Sequence, residues 1–304
     1  EAWTWYVDRT NDVAFAKKLY PAYKRLIDFE LDRRNEDGLV FNQRVFIEWT
    51  QIQKSDVYNT AYHNILARCC QRMARMAEQL GHTDDAAAFA QAYQELQAAI
   101  QTHFWDEDEQ LFSDGIQADS LLDSHYPISS VMPYLAKVTK EEQHTPIFDF
   151  LTDTLQYIGT KERQRVTTPY GGFYVLGALY ERGLPAVAER HIRQNWSEMV
   201  FYRNDTAWEN FGRNGMFTLS HAWSAAPTYY LTTQVLGVNL GWPETSTPDK
   251  VVIAPQVDKI KWAKGTVPHP EGAIDIHWED RGDVLWMECA VPSGVNWTVQ
   301  PKGK

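Results

Sequence analysis

The stretch from Tyr58 to Phe104, YNTAYHNILARCCQRMARMAEQLGHTDDAAAFAQAYQELQAAIQTHF, decides the fold class. In its first half Tyr62, Ile65, Leu66, Cys69, Met73, Met76 and Leu80 form one apolar stripe at helical spacing. Gly81 follows as a stop, because glycine readily takes the left-handed conformation that ends many helices. Thr83 or Asp84 then caps a second helix, whose stripe is Phe89, Tyr93, Leu96, Ile100 and Phe104. Two helices joined by so short a turn pack antiparallel as an αα-hairpin.

The pattern repeats on both sides. Residues 12–34 carry Phe15, Leu19, Tyr23 and Leu26 on one helical face, with Pro21 predicting a kink or a restart. Further helices are predicted over 120–137, irregular at Pro127 and Pro133, and from Thr139 or Lys140 to Tyr157. Residues 168–182 start with Pro169 in an allowed first-turn position and stop at Gly183. Residues 184–199 and 218–236 complete the set, the last ending at Gly237. Consecutive helices without βαβ alternation make the chain mainly α and suggest an α/α toroid.

After Gly241 the composition changes. Prolines at 243, 248, 255, 268 and 270 punctuate short runs. Residues 251–253, 273–278 and 284–291 read as strands, and Asp280-Arg281-Gly282-Asp283 reads as a hairpin turn. The predicted division is therefore a helical domain over 1–240 and part of a C-terminal β-sandwich domain over 241–304.

Composition excludes some functions. A formal net charge of −11 argues against nucleic acid and anionic membrane surfaces, which require basic patches. No apolar run approaches a membrane span. Three cysteines cannot build a disulfide framework, and at most one of the adjacent Cys69 and Cys70 points into the core. No Cys/His spacing suggests zinc, and neither a metal nor a cofactor is expected. Export status and oligomeric state are left open: a bacterial periplasmic, secreted or cytoplasmic location and a homo-oligomer are all compatible with the sequence.

Two connections, 35–57 and 200–217, lack helical periodicity over about twenty residues, and loops longer than about 12–15 residues are often functional. The first holds Glu48 and Trp49. The second holds Asp205, Trp208 and Glu209, with Arg203, Arg213, Tyr202, Phe211 and Phe217 nearby. Aromatic walls raise a carboxylate's pKa and arginine lowers it, so such a site can be tuned for proton transfer. Aromatic faces also make platforms for sugars. The plain alternative is a Trp-rich core loop with an arginine-paired Glu. Asp119, Asp123 and His125 form another polar group. The two aspartates, one predicted helical turn apart, either line a pocket mouth or decorate a solvated helix start.

Several motifs resemble the bacterial α-L-rhamnosidases of glycoside hydrolase family 78. They are Thr206-Ala207-Trp208-Glu209-Asn210, Thr218-Leu219-Ser220-His221-Ala222-Trp223-Ser224-Ala225, Phe46-Ile47-Glu48-Trp49 and Thr168-Pro169-Tyr170. Leu236-Gly237-Val238 and the region from Ile253-Ala254-Pro255 to Val291-Pro292 resemble the family's C-terminal β-domain. The resemblance implies an (α/α)6 toroid of six hairpins, of which this chain supplies roughly four, followed by the β-sandwich. It implies inverting hydrolysis of rhamnosides, with Glu209 as the general base that activates water. Trp49, Glu48, Asp205, Trp208 and His221 then bind the sugar, His221 from the first turn of its predicted helix.

The family's general acid lies in an acidic, arginine-flanked stretch upstream of these helices. Nothing here matches it, since Lys161-Glu162-Arg163 falls far too late. The expectation is therefore a fragment of a larger enzyme, inactive and prone to aggregate when expressed alone. The competing expectation is a catalytically silent carbohydrate-binding scaffold. A helical interaction module fits the hairpins but not the Trp-Glu loop.

Overall fold

A computed structural model describes residues 2–50, 52, 54–155, 166–202, 206–211, 218–240 and 250–300. The chain forms two compact units, Glu1–Val175 and Leu176–Lys304, divided within the helix Pro169–Arg182.

The first unit is built on the hairpin of helices Thr60–Leu80 and Thr83–Phe104. Gly81 ends the first helix with φ +82°, as the sequence predicts. Of the adjacent cysteines it is Cys70 that is buried, while Cys69, assigned to the stripe from spacing, is only partly covered. Helix Thr60–Leu80 buries polar residues as well as apolar ones, and these tie neighbouring elements to it. Arg68 Nη1 donates to the Leu135 carbonyl at 2.6 Å, a cation at the C-terminal end of helix Pro127–Leu135, where the dipole favours it. Arg72 reaches Thr4 Oγ1 at 3.3 Å and Arg75 pairs with Asp8, which fastens helix Ala2–Thr10. His63 is fully enclosed. Its Nδ1 lies 2.7 Å from the Asn59 carbonyl, and its Nε2 accepts from Val40 N–H at 2.8 Å. A proton on Nδ1 satisfies both contacts, and burial lowers the pKa of this neutral ring to about 4.

Two helical expectations for this unit are corrected. Helix Val13–Asp32 is continuous through Pro21, without a restart. Pro21 removes one N–H, and the Lys17 carbonyl that would have accepted it lies on the exposed face, within reach of water. The helix expected from Ser120 starts at Pro127 instead, because proline is favoured at the first helical position rather than breaking one already formed. The preceding stretch forms short antiparallel pairs: Trp105–Asp106 with Leu111–Phe112, and Gly115–Gln117 with both Tyr58–Asn59 and Ser120–Leu121. Ala118 and Asp119, with φ +49° and +60°, make the two-residue hairpin turn. Helix Glu141–Thr154 begins as predicted, and its expected end at Tyr157 lies outside the described residues.

In the second unit, helix Pro185–Phe201 leads to a segment expected to be one helix over 218–236. Residue 221 is extended instead, at φ −142° and ψ 114°. A 3-10 turn Ala222–Ser224, a short α-helix Ala226–Tyr230 and a π-turn Leu231–Val235 follow. Pro227 lacks the N–H a helix interior needs, so the α-helix can only begin there. Gly237 ends the segment at φ +85°. A Cβ there would approach Pro255 N to 2.4 Å, so both backbone and packing demand glycine.

Two three-stranded sheets follow. Trp262–His269, Gly272–Asp280 and Leu285–Ala290 pair antiparallel in that order. Val238–Asn239, Lys250–Ile253 and Asn296–Val299 form the other, the last pair being parallel. Both sheets feed one core, from Val238, Val251 and Ile253 on one side and Val267, Ile274, Ile276 and Trp278 on the other. The three strands and the hairpin turn read from sequence are present. Strand Trp262–His269 was not foreseen, because Gly265 and Pro268 disguise it. It is an edge strand, where proline is tolerated.

Candidate active site

Glu209 lies in a loop that is extended rather than coiled. Segments 206–209 and 218–221 run side by side: Glu209 N–H donates to the Thr218 carbonyl at 2.9 Å, and His221 N–H donates to the Ala207 carbonyl at 2.7 Å. Thr206 adds a hydroxyl bond to the Leu219 carbonyl. Beneath them is an aromatic floor. Trp208 is 1% exposed, and Trp196 packs edge-on against Phe211 at 4.7 Å. The Trp196 indole N–H donates to the Ser224 carbonyl at 2.9 Å, and the Ser224 hydroxyl in turn donates to the Trp208 carbonyl. The Trp223 indole donates to the carbonyl of Glu209 itself at 3.0 Å. The catalytic candidate is thus held through its backbone by residues of the His-Ala-Trp-Ser run.

Its carboxylate is held as well. Oε2 accepts from Thr218 N–H at 3.0 Å and from Thr218 Oγ1 at 3.2 Å. His221 Nδ1 lies 3.8 Å from the same oxygen and 3.2 Å from Thr218 Oγ1. The threonine hydroxyl has one proton. Donated to Glu209, it leaves the threonine oxygen to accept from His221 Nδ1–H. In the neutral ring Nε2 is then an acceptor. The Glu209 side chain is 15% exposed and that of His221 33%, so both reach the surface without being immersed in solvent. The His221 ring lies 4.2 Å from that of Trp223, tilted by 37°. An oriented carboxylate beside an imidazole on an aromatic support is suited to taking a proton from water and to bonding a hydroxyl-rich ligand.

Glu48 and Trp49 belong to the first unit. Glu48 is 0% exposed, and its Oε2 accepts from Thr168 N–H at 3.1 Å and Oγ1 at 2.8 Å. Burial pushes its carboxyl up to about 7, against the opposing pull of the Thr168 bonds and the Lys54 charge. Trp49 is 42% exposed and lies edge-on to Phe46 at 4.9 Å. The Lys54 ammonium is 5.8 Å from the Trp49 ring.

Of the residues expected at the sugar, Glu209, His221 and Trp49 therefore present surface. Trp208 and Glu48 are enclosed, and Asp205 lies outside the described residues, as do Arg203, Arg213, Phe217 and Lys161-Glu162-Arg163. Asp119 and Asp123 do not share a helical face: Asp119 is in the hairpin turn, and the helix that follows begins only at Pro127. His125 pairs instead with Asp106 at 3.3 Å. Thr218 and Ser224 were quoted only as part of a motif. Thr218 stands nine residues after Glu209, and no local periodicity marks it as the carboxylate's partner. Among the described residues no cluster of His, Cys, Asp and Glu could hold a metal ion.

Residues 2–235 match the bacterial alpha-L-rhamnosidase 6 hairpin glycosidase domain. The chain belongs to this family. Residues 244–303 match the bacterial alpha-L-rhamnosidase C-terminal domain, so the fold is the six-hairpin glycosidase domain followed by a β-domain. The crystal structure of a glycoside hydrolase family 78 rhamnosidase from Bacillus sp. GL1 superposes with a TM-score of 0.82 at 28% identity, over 99% of this chain and 33% of that one. A rhamnosidase from Klebsiella oxytoca, solved with rhamnose bound, gives 0.62 at 25% identity, over 75% of this chain and 44% of that one. An alpha-L-rhamnosidase of Alteromonas sp. (strain LOR) is 22% identical, over 97% of this chain and 33% of that protein. This rhamnosidase-family chain thus spans about a third of the length of the first relatives it matches.

Proposed function

We propose that the protein is an inverting α-L-rhamnosidase that removes terminal rhamnose from glycans or glycosides, with Glu209 as general base. The observation that carries this is the Glu209 carboxylate: partly exposed, oriented through Oε2 by Thr218, and beside His221. The family supports the substrate class. A general base must be held within reach of one water, and an inverting pair keeps its carboxyls about 6.5–9.5 Å apart to admit that water. The general acid is supplied, on this reading, from outside these 304 residues. On this reading His221 binds the sugar beside Glu209, and Trp49 is a further sugar-binding residue. The division into a catalytic α/α domain over 1–240 and a β-domain over 241–304 is supported by where the two family matches fall.

The test is full-length protein on an aryl α-L-rhamnoside. Glu209→Gln keeps the shape but accepts no proton, and lowers turnover by about 10²–10⁴. NMR of the first-formed sugar shows the inverted anomer. Turnover of Glu209→Gln within a few-fold of wild type removes Glu209 from the mechanism. A wild type that binds rhamnose without hydrolysing any rhamnoside is the silent scaffold.

A further inference from the structure

We infer that Glu48 is a positioning residue: with Thr168 it forms a buried clasp that holds the Trp49 indole in place on the protein surface. That this indole meets the sugar rests on the function proposed above; the clasp itself does not.

The segment around Trp49 has no regular secondary structure, so side-chain anchors must fix it. Ile47 and Ile52 are buried in a cluster with Ala61, Ile128 and Met132. Between them Glu48 and Thr50 also point inward, while Phe46 and Trp49 point out. Glu48 adjoins Trp49 in sequence and is the only ionisable one of the four. Its Oε2 takes both donors of Thr168, across 120 residues of sequence. Thr168 Oγ1 in turn lies 3.4 Å from Gly171 N–H, which ties the clasp into the first turn of helix Pro169–Arg182.

The cradle has no slack. A Cβ at Gly171 would come within 2.2 Å of Glu48 Oε2 and 2.5 Å of Thr167 Oγ1. Any other residue there would expel the carboxyl. On the outer side the indole is braced by Phe46, with Lys54 Nζ 5.4 Å and 5.8 Å from the two rings. Glu48 has no exposed atom with which to touch a sugar, so it can act only through what it holds. A Gln side chain at this position offers Thr168 the same kind of oxygen acceptor.

Glu48→Ala, Glu48→Gln, Thr168→Val and Thr168→Ser in the full-length protein test this with two readouts. Hydroxyl-radical footprinting of the Trp49 peptide reports the indole directly and needs no activity. Hydrolysis of an aryl α-L-rhamnoside gives KM and kcat separately. Glu48→Ala and Thr168→Val should raise Trp49 oxidation several-fold and KM by about tenfold, with kcat changed less than about threefold, since a misplaced binding group costs affinity first. Glu48→Gln and Thr168→Ser should restore both readouts. Unchanged Trp49 oxidation in Glu48→Ala overturns the clasp. So does a fall in kcat alone, which is what a smaller folded fraction gives. Should Glu48→Ala fail to fold, the Thr168 pair decides by the same criteria. A wild type without rhamnosidase activity would defeat the proposed function and leave footprinting to judge the clasp.

Discussion

Thr218 gives both of its donors, the backbone N–H at 3.0 Å and the hydroxyl at 3.2 Å, to a single oxygen of Glu209. One residue thereby sets the direction of the carboxylate, and its backbone carbonyl also receives the Glu209 N–H. Thr218→Val removes the hydroxyl bond and keeps the other two. A hydrogen bond to a charged group is worth about 1.5–3 kcal/mol, less at an exposed position, so kcat should fall by roughly 3- to 30-fold. Steady-state kinetics of the variant beside Thr218→Ser, which should behave as wild type, checks this.

Gly171→Ala should destabilise the first unit by about 1–3 kcal/mol, the usual cost of forcing a methyl into a full site. The closest clash is with Glu48, so Glu48→Ala relieves that part of it and leaves the contact with Thr167 Oγ1. The double variant should lose less than the sum of the single losses, a coupling visible in chemical unfolding. Additive losses would mean that the glycine is needed for some other neighbour.

Stability should depend on pH through three buried groups with opposite signs. His63 and His191 have pKa values lowered to about 4 by burial, Arg190 adding to the effect at His191. Their neutral forms are favoured in the fold, so their contribution is complete above about 6.5 and is lost as pH falls from there through about 4. Glu48 is raised to about 7, so its contribution is complete below about 4.5 and is lost as pH rises through 7. Unfolding of wild type and Glu48→Gln from pH 4 to 9 separates them. The wild-type-minus-variant difference should be flat below about pH 4.5 and fall by about 1.4 kcal/mol per unit between 4.5 and 7. A difference that does not change with pH would place an ordinary carboxylate at Glu48.

Gly237→Ala should weaken the β-domain by several kcal/mol, because it combines a left-handed backbone at φ +85° with a Cβ 2.4 Å from Pro255 N. Hydrogen exchange at Ile253 and Ile276 should accelerate in this variant before it does in helix Thr60–Leu80.

The hairpin from Thr60 to Phe104 was legible because its information is local: spacing of apolar residues, then a glycine. The sheets were legible where alternation is clean, as at Ile274, Ile276 and Trp278. What stayed hidden depends on partners far along the chain. Nothing near Glu48 announces Thr168, and Thr168 showed only as a helix start. Ala118 concealed a turn, because alanine seldom takes positive φ and no Asn-Gly signal stands there. His221 was placed in a helix because the apolar pattern runs past it. Pro227 was the counter-signal, since it confines the helix start to its own first turn.

The π-turn at Leu231–Val235 has a consequence for how the protein comes apart. Its Val235 carbonyl accepts the indole N–H of Trp278 at 3.0 Å, and Val235 and Leu236 are themselves members of the β-domain's core. The segment that begins near His221 and the two sheets should therefore open as one cooperative block, with amides at 231–236 exchanging at the rate of those at Ile274 and Ile276. Cutting the chain at 240 would not release an appendage at a hinge. It would leave Val235 and Leu236 bare to water and loosen the stretch that presents His221 to Glu209.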